Sequence, residues 1–174
     1  MSNLHNDKLI DYEVYKDGVR KLGTADITLP DIEYMTETMK GAGIAGEVDM
    51  LTIGQTSSMK TTINWRTVNS SLSELAAPKA HDLEFRGAQQ AYEAGEGILK
   101  VIPVIVNVRV LPKKTSLGKF SKASTTDSSN EFEVVFLKLT VNGEVKVEID
   151  KFNYKFVIDG TDYLSAVRTA LGLV

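Results

Sequence analysis

The stretch TLPDIEYMTETMKGAGIAGEVDMLTIGQTSSMKTTINWR, residues 28–66, decides how the rest of the chain is read. Two runs of alternating polar and apolar residues flank a glycine-rich bend, Gly41-Ala-Gly-Ile-Ala-Gly46. The bend spells GxGxxG, the spacing with which a dinucleotide-binding unit lets backbone amides approach a pyrophosphate. That use needs a buried parallel strand before the bend and a helix after it, so that the phosphates meet a helix N-terminus. Here the preceding run carries Glu33 and Glu37, the following EVDMLTIGQTSS shows no helical stripe, and no βαβ alternation occurs elsewhere. Gly41, Gly43 and Gly46 are therefore read as backbone freedom, and the stretch as a long β-hairpin arm.

Within the arm, Ile32, Tyr34, Thr36 and Thr38 fall on one strand face and Asp31, Glu33, Met35, Glu37 and Met39 on the other. Ile32, Met35 and Met39 also fit a helix at i, i+3, i+7; tyrosine and threonine favour the strand. Residues 40–57 read as a loop too long for a tight turn, and its Val48, Met50, Leu51 and Ile53 need a covering partner. In Met59-Lys-Thr-Thr-Ile-Asn-Trp-Arg66, Met59, Thr61, Ile63 and Trp65 face one way, as in a half-buried strand. Lys60, Thr62, Asn64 and Arg66 face the other.

Residues 8–29 suggest two short strands about a Lys16-Asp17-Gly18 turn. Ser71-Leu-Ser-Glu74 is a capping box that opens a helix stopped by Pro78. Leu83, Phe85, Gly87, Gln89 and Ala91 alternate as in a strand, while Ala88–Ala94 also suits a helix. Ile98–Leu111, dense in valine and isoleucine, is the strongest strand, with Pro103 pointing to an edge position or a bulge. Residues 112–130, PKKTSLGKFSKASTTDSSN, read as a mobile surface loop. Glu131–Val141, the Asn142-Gly143 turn and Val145–Ile158 form a hairpin, and a helix capped by Asp162 runs to Gly172. The expected fold is mainly β: one domain over residues 1–174, an antiparallel β-barrel or sandwich with long hairpins and one or two short flanking α-helices.

The 174 residues suffice for one sizeable core, and a net charge of −3 gives no overall basic footprint for nucleic acid. With no cysteine there are no disulfides and no thiolate metal sites. The N-terminus shows no cationic flank followed by an apolar segment, which predicts cytosolic synthesis. Glu148 and Asp150 share a strand face, an ordinary pattern on a solvated sheet, and His5 and His81 read as surface residues. No serine stands in GxSxG. Lysines 113, 114, 119 and 122 have only Phe120 for aromatic company, too little for a base-stacking strand binder. The sequence shows no enzyme, no cofactor site and no metal site. What it does show is a β-rich domain with a partly apolar arm, and neighbouring subunits closing a sheet across copies are the simplest cover for one.

At this point a family resemblance enters. Thr28-Leu-Pro30, then Gly41-Ala-Gly-Ile-Ala-Gly46 followed by Val48-Asp-Met50, resembles the major tail tube protein family of contractile phages, the P2-like group. Leu139-Thr-Val-Asn-Gly143, Val147-Glu-Ile-Asp150, Asn153 and Asp159-Gly-Thr-Asp162 are similar to its closing hairpin, and Leu164, Arg168 and Leu171-Gly172 to its terminal helix. The resemblance spans roughly residues 9–172. It implies six copies per ring, hairpins joined into a lumen-lining barrel, and rings stacked into a tube inside a contractile sheath. R-type bacteriocins use such a tube without a head, and type VI secretion tubes are structurally similar. Implied partners are further copies of the chain, a tail sheath protein, tape measure and baseplate proteins, and DNA in transit. The lysine-rich 112–130 segment departs from the pattern.

On that reading Gly41, Gly43, Gly46, Val48, Met50, Leu51 and Ile53 form the inter-subunit loop. Asp31, Glu33 and Glu37 with Lys60, Thr62, Asn64 and Arg66 are the lumen-lining candidates. The competing readings are a monomeric β-sandwich binding module, which needs exposed aromatics for a sugar platform, a tube initiator or baseplate protein sharing the fold, and a type VI secretion-like tube.

Overall fold

The computed structural model describes residues 3–18, 20–23 and 25–173. The first half holds β1 (Leu4–Lys16), β2 (Arg20–Lys21), β3 (Ala25–Thr28), β4 (Tyr34–Lys40), β5 (Glu47–Thr56), β6 (Met59–Trp65) and helix α1 (Ser70–Leu75). The second half holds β7 (His81–Glu93), β8 (Ile98–Ser116), β9 (Ser128–Val141), β10 (Glu144–Asp150), β11 (Lys155–Ile158), β12 (Thr161–Asp162) and helix α2 (Ser165–Ala170). The strand pairings among the described residues are antiparallel, in the order β12-β11-β10-β9-β8-β7-β1-β2. On β9, Phe136–Val141 carries β10, while Ser128–Val134 carries β6, which in turn carries β3.

The sheet curls until β1 and β3 meet, the Tyr12 hydroxyl lying 2.7 Å from the Ala25 carbonyl and 3.0 Å from Asp26 Oδ1. Burial, and then the bond to Asp26, push the Tyr12 phenol above its ordinary pKa. The path β3-β6-β9-β8-β7-β1 thereby closes around one core. Its strands contribute Ala25, Met59, Ile63, Trp65, Phe132, Val134, Val106, Val108, Val110, Leu83, Phe85 and Val14. Period-two alternation does this work, as the mainly β expectation required. In β6 every odd residue from Met59 to Trp65 is buried. One polar cluster is sealed inside. Trp65 Nε1 donates to Asn130 Oδ1 at 2.8 Å, and Asn130 Nδ2 donates to the Leu72 carbonyl and to Thr115 Oγ1. That pins α1 to β6, β8 and β9, with the buried amide satisfied on both its ends.

Several expectations are corrected. Residues 40–57 are not a loop: the bend is confined to 41–46, and Glu47–Thr56 is a strand paired with β4. Period-two alternation of Glu47, Val48, Asp49 and Met50 suits a strand once β4 supplies the ladder. The arm's two walls are consequently β4 and β5, while the run 59–66 sits in the barrel between β3 and β9. Residues 112–130 shrink to a loop over 117–127, because β8 runs to Ser116 and β9 starts at Ser128. Even that loop is anchored, by Lys119 N to Thr126 O and by Thr126 N to Arg66 O.

Residues 145–158 break into β10 and β11 about a turn in which Asp150 Oδ1 accepts from the amides of Phe152 and Asn153. The two strands expected over 8–29 become a long β1, a β2 fragment, and a β3 that pairs with β6. Leu83–Ala94 belongs to strand β7 and its following turn. Asn69, not Ser71, caps α1, its side chain accepting from Leu72 N at 2.9 Å. Asp162 lies in β12 and accepts from Leu164 N, one residue before α2. His81 is buried, with Nε2 3.1 Å from the Ala77 carbonyl, because β7 starts beneath the end of α1. Pro103 sits at an edge, as expected: β9 ends where Val141 meets Val104, so Ile98–Pro103 pairs with β7 alone among the described residues.

Candidate assembly interface

Strands β4 and β5 form a two-stranded sheet apart from the barrel. Register fixes their faces. Met39 opposes Val48 and Glu37 opposes Met50, so Met35, Glu37, Met39, Val48 and Met50 share one face. Thr36 opposes Leu51, Thr38 opposes Asp49 and Lys40 opposes Glu47 on the other. That second face is internally paired, Thr38 Oγ1 donating to Asp49 Oδ1 at 2.7 Å and Lys40 Nζ standing 3.7 Å from Glu47 Oε1. Every residue of β4 and of Glu47–Ile53 is exposed, and the large hydrophobic members stay 40–58% accessible. An isolated hairpin is marginal in water. An amphipathic one with both faces bare is built to be covered. The tip turns on Gly41, Gly43 and Gly46, at φ of +148°, +91° and +112°, conformations that side chains disfavour.

The root of the arm is held firmly. Between Thr36/Leu51 and Tyr34/Thr56 the register shifts, so that residues 52–55 bulge opposite Met35. The bulge drives Gly54, at φ +66°, against Leu164: a Cβ there would stand 2.5 Å from Leu164 Cγ. Tyr34 packs on Phe156 at 5.9 Å between ring centroids, and Phe156 on Tyr163 at 6.4 Å. Ser57 N donates to Glu33 O, and Lys151 Nζ to Ser57 O at 2.7 Å. The platform is itself braced. Arg168 bridges Asp162 Oδ2 and the Tyr154 carbonyl, both at 2.7 Å, and its guanidinium holds the Asp162 carboxyl below the usual aspartate range.

A second unpartnered surface lies at the opposite end of the sheet. Leu4–Asp11, Ala88–Glu93 and Ile98–Pro103 run on past the core as a three-stranded flap. Tyr92, Leu99 and Val101 lie on its outer face, with Leu99 65% and Val101 62% accessible. Leu9, Ile98, Ile102 and Val104 lie on its inner face. The Ile98–Pro103 limb, apolar on both faces apart from Lys100, has the pattern of a strand buried on both.

The sequence-derived residues separate into three places. Gly41, Gly43 and Gly46 form the arm tip, and Val48 and Met50 share the arm's methionine face; Leu51 lies on its polar face and Ile53 in the root bulge. Lys60, Thr62 and Asn64 stand together on the outside of the barrel, interleaved with Glu133 and Glu131 across β9, and Arg66 follows just after. Asp31 and Glu33 are exposed on the lead-in to the arm, apart from that group. Glu37 falls among the methionines. The single polar lumen wall drawn from both runs therefore does not exist in one subunit, since the runs pair with different strands. Sequence reasoning passed over the Met35 and Met39 contribution, the Gly54–Leu164 root and the flap. The methionines were visible as an apolar set, but the helix-like spacing of Ile32, Met35 and Met39 masked their strand partners.

An exposed amphipathic arm on a closed antiparallel barrel is the anatomy of a subunit that completes itself with neighbours. Comparison with known proteins bears on this directly. The profile of the family described as phage tail tube protein FII matches residues 6–172. The chain belongs to that family. It is also 28% identical over 166 residues to the tail tube protein of Escherichia phage P2, covering 92% of this chain and 94% of that protein. The tail tube family is a structural one, so the chain is a phage tail tube protein by family and not an enzyme. Its functional site is a set of surfaces.

Proposed function

We propose that this chain is the repeating subunit of the inner tube of a contractile phage tail, stacked as hexameric rings inside a sheath. Family membership supports the tube, and the exposed methionine face of the arm is the observation that carries assembly through neighbouring copies. On this reading the sheath protein surrounds the tube, the baseplate nucleates it, the tape measure sets its length, and DNA passes through its lumen. The subunit is made and assembled in the host cytoplasm and ends in the virion tail.

Lys60, Thr62, Asn64 and Arg66 remain the lumen-lining proposal, with Asp31 and Glu33 flanking. Lys60 faces Glu133 and Thr62 faces Glu131 across the ladder, so this wall carries both signs. A wall without net positive charge gives the phosphate backbone nothing to adhere to, because cation–phosphate attraction is the main nonspecific affinity term. Glu37 is withdrawn from the lumen set, because its face is the one that calls for burial.

Electron microscopy of the concentrated, purified protein tests the reading. Hollow rods or stacked rings are expected. A sedimentation profile that stays monomeric at every concentration, with a baseplate supplied as nucleus as well as without one, contradicts it.

A further inference from the structure

We propose that the methionine face of one subunit's arm seats in the groove at the open end of a second copy's barrel. The inference deepens the tube reading and rests on it. The groove lies where the flap meets β3; Leu9, Ile27, Leu29, Phe85, Val104 and Val106 line it, and its volume is about 370 Å³. Leu9 and Leu29 stand half exposed at its rim. Gly87 forms part of its wall, and a Cβ there would come within 3.0 Å of Leu9 Cδ1. The bare backbone lets apolar groups lie directly on β7.

Chemistry selects the occupant. Methionine is unbranched and adaptable, suited to filling an irregular apolar surface, and three methionines with Val48 surround Glu37 on this face of the arm. The flap's outer face shows Tyr92, Leu99 and Val101 but intersperses them with His5, Lys8 and Gln90, so an apolar hairpin face seated there would meet polar groups.

The arm cannot fill its own groove while its root is held. Gly54 and Tyr34 fix it on the β11–α2 platform, and in that pose the methionine face points to solvent with Met35, Met39 and Met50 about half exposed. The arm's exposure in the single chain agrees. The occupant is therefore a second copy.

The cysteine-free sequence permits a clean test. Met50→Cys chains are co-assembled one to one with Leu29→Cys chains carrying a different mass tag, and separately with Val101→Cys chains, then oxidised and run on non-reducing gels. The groove assignment expects at least about tenfold more mixed dimer from the Leu29 pairing than from the Val101 pairing, because a disulfide closes only when its Cα atoms lie within about 7 Å. Equal yields, or a dominant Val101 product, overturn it while the tube reading stands. If the Leu29 variant fails to assemble, Leu9→Cys with Met39→Cys asks the same question. Failure of the unaltered chain to form any tube even on a supplied baseplate nucleus overturns the parent reading itself, and the groove assignment with it.

Discussion

Met50→Asp is expected to abolish tube formation while leaving the subunit folded. In the isolated chain Met50 is half exposed and opposes Glu37, so a carboxylate there replaces no packed group. Surface changes of this kind stay within about 0.5 kcal/mol of the parent stability. In an assembled tube the same position is an apolar contact directly opposite Glu37, and enclosing a second carboxylate beside that one costs several kcal/mol. At about 1.4 kcal/mol per decade, even a ~3 kcal/mol penalty raises the critical concentration for assembly more than a hundredfold. Sedimentation of assembled material against concentration reads the change, and a urea melt confirms the fold. Met50→Leu conserves volume and costs less than about 1.5 kcal/mol, so it should still assemble. Wild-type assembly by Met50→Asp removes this face from the interface.

The second large effect belongs to the root of the arm. Gly54→Ala places a Cβ at 2.5 Å from Leu164 Cγ and in a left-handed conformation. The conformation costs about 1–2 kcal/mol and the overpacking about 1–3 kcal/mol more. Leu164→Ala alone should cost about 2–5 kcal/mol, because the side chain is buried in the core cluster. The double variant should be less damaged than the sum of the two by about 1–3 kcal/mol, since removing the isobutyl group makes room for the new methyl. Denaturant melts of the four proteins give that coupling directly. Additivity within about 0.5 kcal/mol shows that Gly54 does not meet Leu164 as described.

The pattern of misreadings is instructive about what alternation carries. Met59–Trp65 declared its inward face outright, because four buried side chains recur at every second position. The Asn142-Gly143 turn was equally plain, since local chemistry sets it. Pairing partners were not legible. Residues 31–39 and 59–66 look like two walls of one hairpin, yet a strand chooses among every edge in the fold, and β6 found β3 and β9 while β4 found β5. Glu47–Thr56 looks like a loop in sequence because its glycine neighbours dominate the window, whereas Glu47–Met50 alternates regularly. His81 looked like surface because nothing local announces that β7 begins beneath the end of α1.

For the site, the positions that protrude were visible and their grouping was not. Val48 and Met50 stood out as apolar residues in a polar context, while their alignment with Met35 and Met39 exists only through the β4–β5 register. The root contact between Gly54 and Leu164 joins residues 110 positions apart, and no sequence pattern carries it.

Methionine oxidation in the unaltered protein tests the central claim most directly. Peroxide converts accessible methionine to the sulfoxide, and peptide mass spectrometry reads each site separately. Met35, Met39 and Met50 should oxidise readily in the unassembled subunit, while Met59, fully buried in the core, resists and serves as the internal reference. In tubes the three arm methionines should fall to the level of Met59. Equal oxidation of the arm in free subunits and in tubes contradicts the account, because it leaves the methionine face bare in the assembly it is held to build.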